Sequence, residues 1–326
     1  MKNQLITLAA VILSGTAAAQ SSVTLYGSAD GGIGKIKAPD PGGKDNNNKV
    51  QFISGGLMNT VTSLVGVRGI EDLGGGLKIG FRFESGLDLD DGSTTSATGF
   101  WARQANMWIT TNFGTLKLGR QFTPSYFTTL AYDLTGTNDY SALGNTFKYV
   151  GLGARDDSAF VYISPTFSNL TAMAGYVTKN DYLSRTIWDL ALTYTNGPVS
   201  GGVSANKANG GKIGYQLGGR YDFGNFILAA SYTQAANLPT ATPVIASLDP
   251  LKARRQGFSL GGTAKFGVFS ATLDVIRDTK NQWMDKKYTN GVVDLRYQLS
   301  KRTYLYGAYL RLDGTNNYGI GIRHDF

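Results

Sequence analysis

The chain has 326 residues, with 31 basic and 23 acidic side chains, no Cys and a single His. The absence of thiols excludes a disulfide-held scaffold and thiolate chemistry, and basic residues scattered without a tail argue against nucleic-acid binding. Glycine, at 43 residues, shows no collagen period, and 18 Tyr with 16 Phe need an architecture that can place many rings.

Residues 1–19 read as a secretory signal peptide. Lys2 is the basic start, Leu5 to Leu13 the apolar stretch, and Ala17-Ala18-Ala19 the small residues before a cleavage site. The apolar part falls short of the roughly 20 residues that a spanning helix needs. Cleavage after Ala19 leaves residues 20–326 as one domain. Lys2 is the only charge lost, so the formal net charge falls by one from +8. No later apolar run is long enough for a membrane helix.

Turn chemistry predicts the topology of the rest. Four tight connections place a small or polar pair between bulky residues: Phe113-Gly114-Thr115-Leu116, Phe167-Ser168-Asn169-Leu170, Phe223-Gly224-Asn225-Phe226 and Phe266-Gly267-Val268-Phe269. Gly or Asn at the tip accepts the positive φ of a hairpin turn. Three more short turns fall at 71–76, 195–198 and 300–301. Longer polar loops alternate with them, near 35–60, 88–100, 122–154, 178–185, 207–212, 235–255, 279–285 and 313–316. Fifteen connections imply sixteen strands, centred near 28, 66, 82, 106, 118, 160, 174, 190, 203, 218, 230, 261, 273, 293, 307 and 321.

The strands have two unlike faces. From Leu77 to Glu84, Leu, Ile and two Phe alternate with Lys, Gly, Arg and Glu. At the terminus, Tyr318, Ile320, Ile322, His324 and Phe326 alternate with Gly319, Gly321, Arg323 and Asp325. In Thr303 to Leu312 the shared face is Tyr304, Tyr306, Ala308, Leu310 and Leu312, so Arg311 is expected to face water. In an exported chain such strands suit a wall between lipid and water. An open edge in hydrocarbon would leave N–H and C=O groups unpaired, so the wall must close. The fold expected is all-β, a transmembrane antiparallel 16-stranded β-barrel. A soluble sandwich or propeller also has many short strands, but strict short–long alternation with aromatic turn flanks disfavours it.

Several segments resemble the general porins of Gram-negative outer membranes, in the beta-proteobacterial branch. They are Ser21-Ser22-Val23-Thr24-Leu25-Tyr26-Gly27, the run from Gly66 to Leu77, Leu118-Gly119-Arg120-Gln121, and Gly321 to Phe326. The resemblance spans the mature length. It implies a homotrimer that passes small hydrophilic solutes and ions, set among outer-membrane lipid and lipopolysaccharide. It implies that the third long loop, Phe122 to Ala154, folds into the pore, and that Phe326 is read by the barrel-assembly machinery.

Members of this family set basic wall residues against acidic groups on that loop, and charge rings at close quarters sort ions. Strand parity makes Lys78 and Arg82 basic wall candidates. The motif match adds Arg120, and position at the loop's return adds Arg155, with Lys148 near the loop's end. Asp133 and Asp139 are the acidic candidates. Arg68 is set aside as lying near a short turn, and Arg103 because it shares parity with apolar Met107 and Ile109. Leu64 stands where the family pattern often has Arg, and Val161 and Ile163 face inward. A less basic, partly apolar lining is therefore expected, against strong anion selectivity, and the mature balance of +7 points to a weak anion preference.

An enzyme on a barrel is the first rival. The sole His, His324, is on the lipid-facing parity, so no Ser–His pair assembles, and no catalytic residue is assigned. A substrate-specific channel for small organic, including aromatic, anions is the second. No cofactor is expected. Asp88, Asp90 and Asp91 could offer oxygen ligands to Ca²⁺, but they read as a solvated loop and no metal site is assigned.

Overall fold

The computed structural model describes residues 22–37, 49–96, 99–178, 185–236 and 251–326. The signal peptide read at 1–19 lies outside them. The first strands are β1 (Ser22–Lys35), β2 (Gln51–Ser54), β3 (Leu64–Gly74), β4 (Leu77–Gly86), β5 (Gln104–Thr111) and β6 (Gly114–Phe122). Two short helices follow, α1 (Pro124–Leu130) and α2 (Ala142–Phe147). Then come β7 (Arg155–Ile163), β8 (Leu170–Val177), β9 (Ile187–Asn196), β10 (Val199–Ala208), β11 (Gly214–Asp222) and β12 (Phe226–Ala236). The last five are β13 (Arg254–Phe266), β14 (Phe269–Asn281), β15 (Thr289–Ser300), β16 (Thr303–Leu312) and β17 (Thr315–Asp325).

From β3 to β17 each strand pairs antiparallel with the next. Strand β1 closes the ring. Its Ser22–Ser28 half pairs with β3 and its Ser28–Lys35 half with β17. The wall is thus a closed barrel of sixteen strands. The seventeenth, β2, is a short addition in the first long loop that pairs with Gly31–Gly34 of β1. No turn signal marked it, because its four residues extend an edge that the wall leaves free there.

Burial alternates along most of the strands, as in β9, β11 and β14. In β14, Leu273 and Val275 are exposed while Thr272, Asp274, Ile276 and Asp278 are buried. The apolar face looks outward and the polar face inward, which is the polarity of a wall in hydrocarbon. Strand β17 follows the expectation, with Tyr318, Ile320, Ile322 and Phe326 exposed. Strand β16 reverses it. Tyr306, Ala308 and Leu310 are buried inside, whereas Leu305, Tyr309 and Arg311 point out. Apolar residues occupy both of its faces, so period alone could not orient it. The inner set packs with Tyr140, Leu143 and Phe147 of the third long loop.

That packing needs room. A Cβ on Gly218 of β11 would lie 2.6 Å from the Tyr132 ring, and one on Gly257 of β13 would lie 3.0 Å from Phe147. Glycine lets these loop aromatics rest directly on the wall's backbone.

Candidate functional site

The segment between β6 and β7 is fastened to the inner wall by polar side chains. Thr123 caps α1 by accepting from the Tyr126 N–H, and Pro124 starts the helix where no N–H is needed. Ser125 donates through its backbone N–H at 3.0 Å and its hydroxyl at 2.7 Å to Asp189 of β9. The Tyr132 hydroxyl donates to Gln216 of β11 at 2.7 Å, and Ser200 of β10 donates to the Ala131 carbonyl at 2.8 Å. Farther round, Tyr140 donates to Asp294 of β15 at 2.9 Å, and Asn290 donates to Thr146 at 2.8 Å. Asp189, Gln216 and Asp294 alternate with exposed Leu190, Leu217 and Val293. The segment therefore lies against the water side of the wall, from β9 to β15.

A second anchor comes from β1. Buried Asp30 accepts from the N–H groups of Thr60 (2.8 Å) and Val61 (3.0 Å), from Asn59 (3.1 Å), from the Tyr306 hydroxyl (2.6 Å) and from the Thr60 hydroxyl. Its carboxylate pins residues 59–61 inside the barrel. That stretch holds Asp139: the Asp139 N–H donates to the Thr60 carbonyl at 3.3 Å, and Thr62 donates to its carboxylate at 3.2 Å. Burial raises the Asp139 carboxyl to about 6, while Arg103 and Arg155 pull it down and Asp30 pushes it up.

Basic side chains gather on the inner wall facing it. Arg82 is in register with Arg68 on one side and Asn106 on the other. With Ser22, Thr24 and Trp108 the two arginines line a cavity of about 290 Å³. Arg68 lies over the Tyr26 ring at 5.2 Å, and the Tyr26 hydroxyl donates to Glu84 at 2.7 Å. Arg103 stands 3.8 Å from Glu84, and Arg155 sits 4.0 Å over Phe122, which stacks on Tyr126 at 4.1 Å. Lys117 lies 5.7 Å over Trp108. The Nε groups of Arg82, Arg103 and Arg155 are buried without a hydrogen-bond partner.

The structure thus brings Arg82, Arg155 and Asp139 into one region and moves the other candidates out of it. Lys78 pairs with Asp72 at 3.2 Å beside the 75–76 turn, with both side chains exposed. Parity gave its face correctly but not its height in the barrel. Arg120 is opposite Ala105, on the register face of exposed Met107, and is ion-paired with Asp157. Asp133 is buried in its own turn, accepting from Thr135 at 2.8 Å and from the Thr137 N–H, and burial raises its carboxyl. Lys148 ends α2 in the left-handed region and donates to Asn145 at 3.3 Å. Burial lowers it to about 8; Asp313 opposes that shift and Arg255 adds to it, which sets it on the opposite side of the barrel.

Sequence reasoning missed three residues. Arg68 was set aside as too close to a turn, yet it is the register partner of Arg82. Arg103 was set aside by parity, yet β5 begins at Gln104, so the alternation does not reach it. Lys117 alternates with Leu116 and Leu118, a signal of the kind that exposed Arg82. Asp88 and Asp91 cap local turns, accepting from the N–H groups of Asp90 and Ser93.

The profile of Gram-negative porins matches residues 6–317. The chain belongs to the Gram-negative porin family. It is 30% identical to outer membrane porin protein 32 of Delftia acidovorans, with 98% of this chain and 92% of that one covered. It is also 30% identical to an outer membrane porin of Bordetella pertussis, with coverage of 98% and 99%. Among solved structures, an anion-selective porin from Comamonas acidovorans superposes with a TM-score of 0.74 at 26% identity, covering 94% of this chain and all of that one. This porin is an outer-membrane channel, and the wet, charged interior is its conduit.

Proposed function

We propose that the channel is a passive, weakly anion-preferring pore for small hydrophilic solutes, and that its constriction lies between residues 123–154 and the inner wall of β3–β7. The carrying observation is the imbalance there. Arg68, Arg82, Arg103, Arg155 and Lys117 outnumber Glu84 and Asp139, and the buried Nε groups of Arg82, Arg103 and Arg155 make no hydrogen bond. Fixed cations in excess over fixed anions favour anions in transit. The similar porin from Comamonas acidovorans is anion-selective, which supports the same sign here.

Of the three apolar positions compatible with an organic-anion channel, Leu64, Val161 and Ile163, Val161 is buried with Leu152, Val177 and Ile187 under the returning loop and so offers no open apolar subsite. We assign no catalytic role. We further propose a homotrimer, assembled with Phe326 as the signal read by the barrel-assembly machinery and surrounded by lipid and lipopolysaccharide. The Phe326 backbone exchanges hydrogen bonds of 3.0 and 3.1 Å with Gly27, so the last residue completes the β1–β17 seam. The test is Arg103→Gln with Arg155→Gln in a planar bilayer under a salt gradient. The zero-current potential should shift towards cation preference, and an unchanged potential would refute the constriction as assigned.

A further inference from the structure

The outer wall carries a cluster of cations that the pore does not use. In β14 the outward series Leu273, Val275 continues to Arg277. In β16 the outward series Leu305, Tyr309 continues to Arg311. Lys280 is exposed and in register with Gln256 of β13, whose outward series Leu260, Phe258, Gln256 reaches Arg254. All four stand at the long-loop end of their strands, above an apolar belt that includes Leu260, Leu273, Val275 and Val293. Arg277 is in register with Thr289 and Arg311 with Gly291. The two arginines are thus two strand spacings, about 10 Å, apart across the sheet and two residues, about 7 Å, offset along it, and the residue between them on Arg311's tier has no side chain.

Among the described residues, no protein anion answers these charges. Arg277 donates to the neutral Thr289 hydroxyl at 2.7 Å. Among the described residues, none of the four pairs with a carboxylate. Exposed Lys286 and Lys287 in the turn above add two more cations against one acid, Asp285. Cations on the lipid side of a barrel are destabilising near the bilayer midplane and tolerated at the interface, where long side chains reach headgroups.

We propose that Arg254, Arg277, Lys280 and Arg311 form a binding site for the phosphate groups of an outer-leaflet lipid, with its acyl chains lying on the belt below. The proposal rests on the outer-membrane setting of the barrel and is independent of the pore's selectivity. Guanidinium groups suit it, since their forked donors match phosphate oxygens.

The test compares the purified porin with a triple variant, Arg277→Gln, Lys280→Gln and Arg311→Gln, in detergent micelles. The probes are bisphosphorylated lipid A, its dephosphorylated form and inorganic phosphate, with the melting temperature as readout. The bisphosphorylated lipid should raise the melting temperature of the parent, and the other two should not. The triple variant should bind it about a hundredfold more weakly, with unit conductance unchanged. Equal binding by both proteins would overturn the proposal. So would equal stabilisation by inorganic phosphate, which would mark the cluster as a general anion trap. Should the triple variant fail to fold, Arg277→Gln and Arg311→Gln singly should each weaken binding about fivefold, and parent-like binding by both would overturn it.

Discussion

Replacing Asp139 with Asn removes the one acidic group that the third long loop turns towards Arg103 and Arg155. A monovalent ion passing about 5 Å from that carboxylate in water interacts with it by about 0.8 kcal/mol. Screening over a Debye length of about 10 Å at moderate salt trims this to about 0.5 kcal/mol. Without the charge, anions lose a repulsion and cations an attraction of that size, so the anion-to-cation permeability ratio rises about fivefold. Because burial holds the carboxyl at about 6, the wild-type group is charged above that pH and neutral below it. The variant and parent should therefore differ at about pH 7.5 and coincide at about pH 4.5. Reversal potentials across a fixed salt gradient read both. Equal ratios at the higher pH, or a wild-type ratio without an inflection near 6, would refute the placement of Asp139 beside the ion path.

Three other substitutions test the scaffold. Arg255, with 2% of its side chain exposed, makes two 3.0 Å bonds to Asp278 and also binds Asp313; Arg255→Met strands both carboxylates and should cost about 3–5 kcal/mol in unfolding experiments in detergent. Gly218→Val puts a methyl-bearing carbon against the Tyr132 ring, so α1 must lift from the wall and unit conductance should change while the strand signal in circular dichroism persists. Asp30→Ala releases the Thr60 and Val61 N–H groups together with Tyr306, which should expose residues 56–63 to protease and add gating noise to single-channel records.

The sixteen wall strands were legible because turn residues and period-two alternation are local signals. The expected centres fall within the observed strands throughout. What escaped was set by neighbours distant in sequence. Strand β2 forms only because β1, paired with β17 along one edge, leaves its other edge open at Gly31–Gly34 beyond the end of its pairing with β3. The inner face of β16 is apolar because α2 covers it, and no periodicity in that strand could reveal its cover. Parity set Arg82 and Lys78 on one face but could not tell the height of Lys78, which lies beside the 75–76 turn, paired with Asp72. Asp133 and Asp139 look alike in sequence. Only the fold shows that one closes its own turn while the other is presented by Thr60 and Thr62. Arg103 was lost because the alternation was carried back past Gln104, where β5 begins.

Planar-bilayer recording of the purified wild-type protein tests the central claim most directly, that this cylinder encloses a water path biased towards anions. Step increases of current should arrive in groups of three, scale with bulk salt conductivity, and show a zero-current potential of anionic sign. A membrane that stays silent, or a potential of cationic sign, would contradict the account.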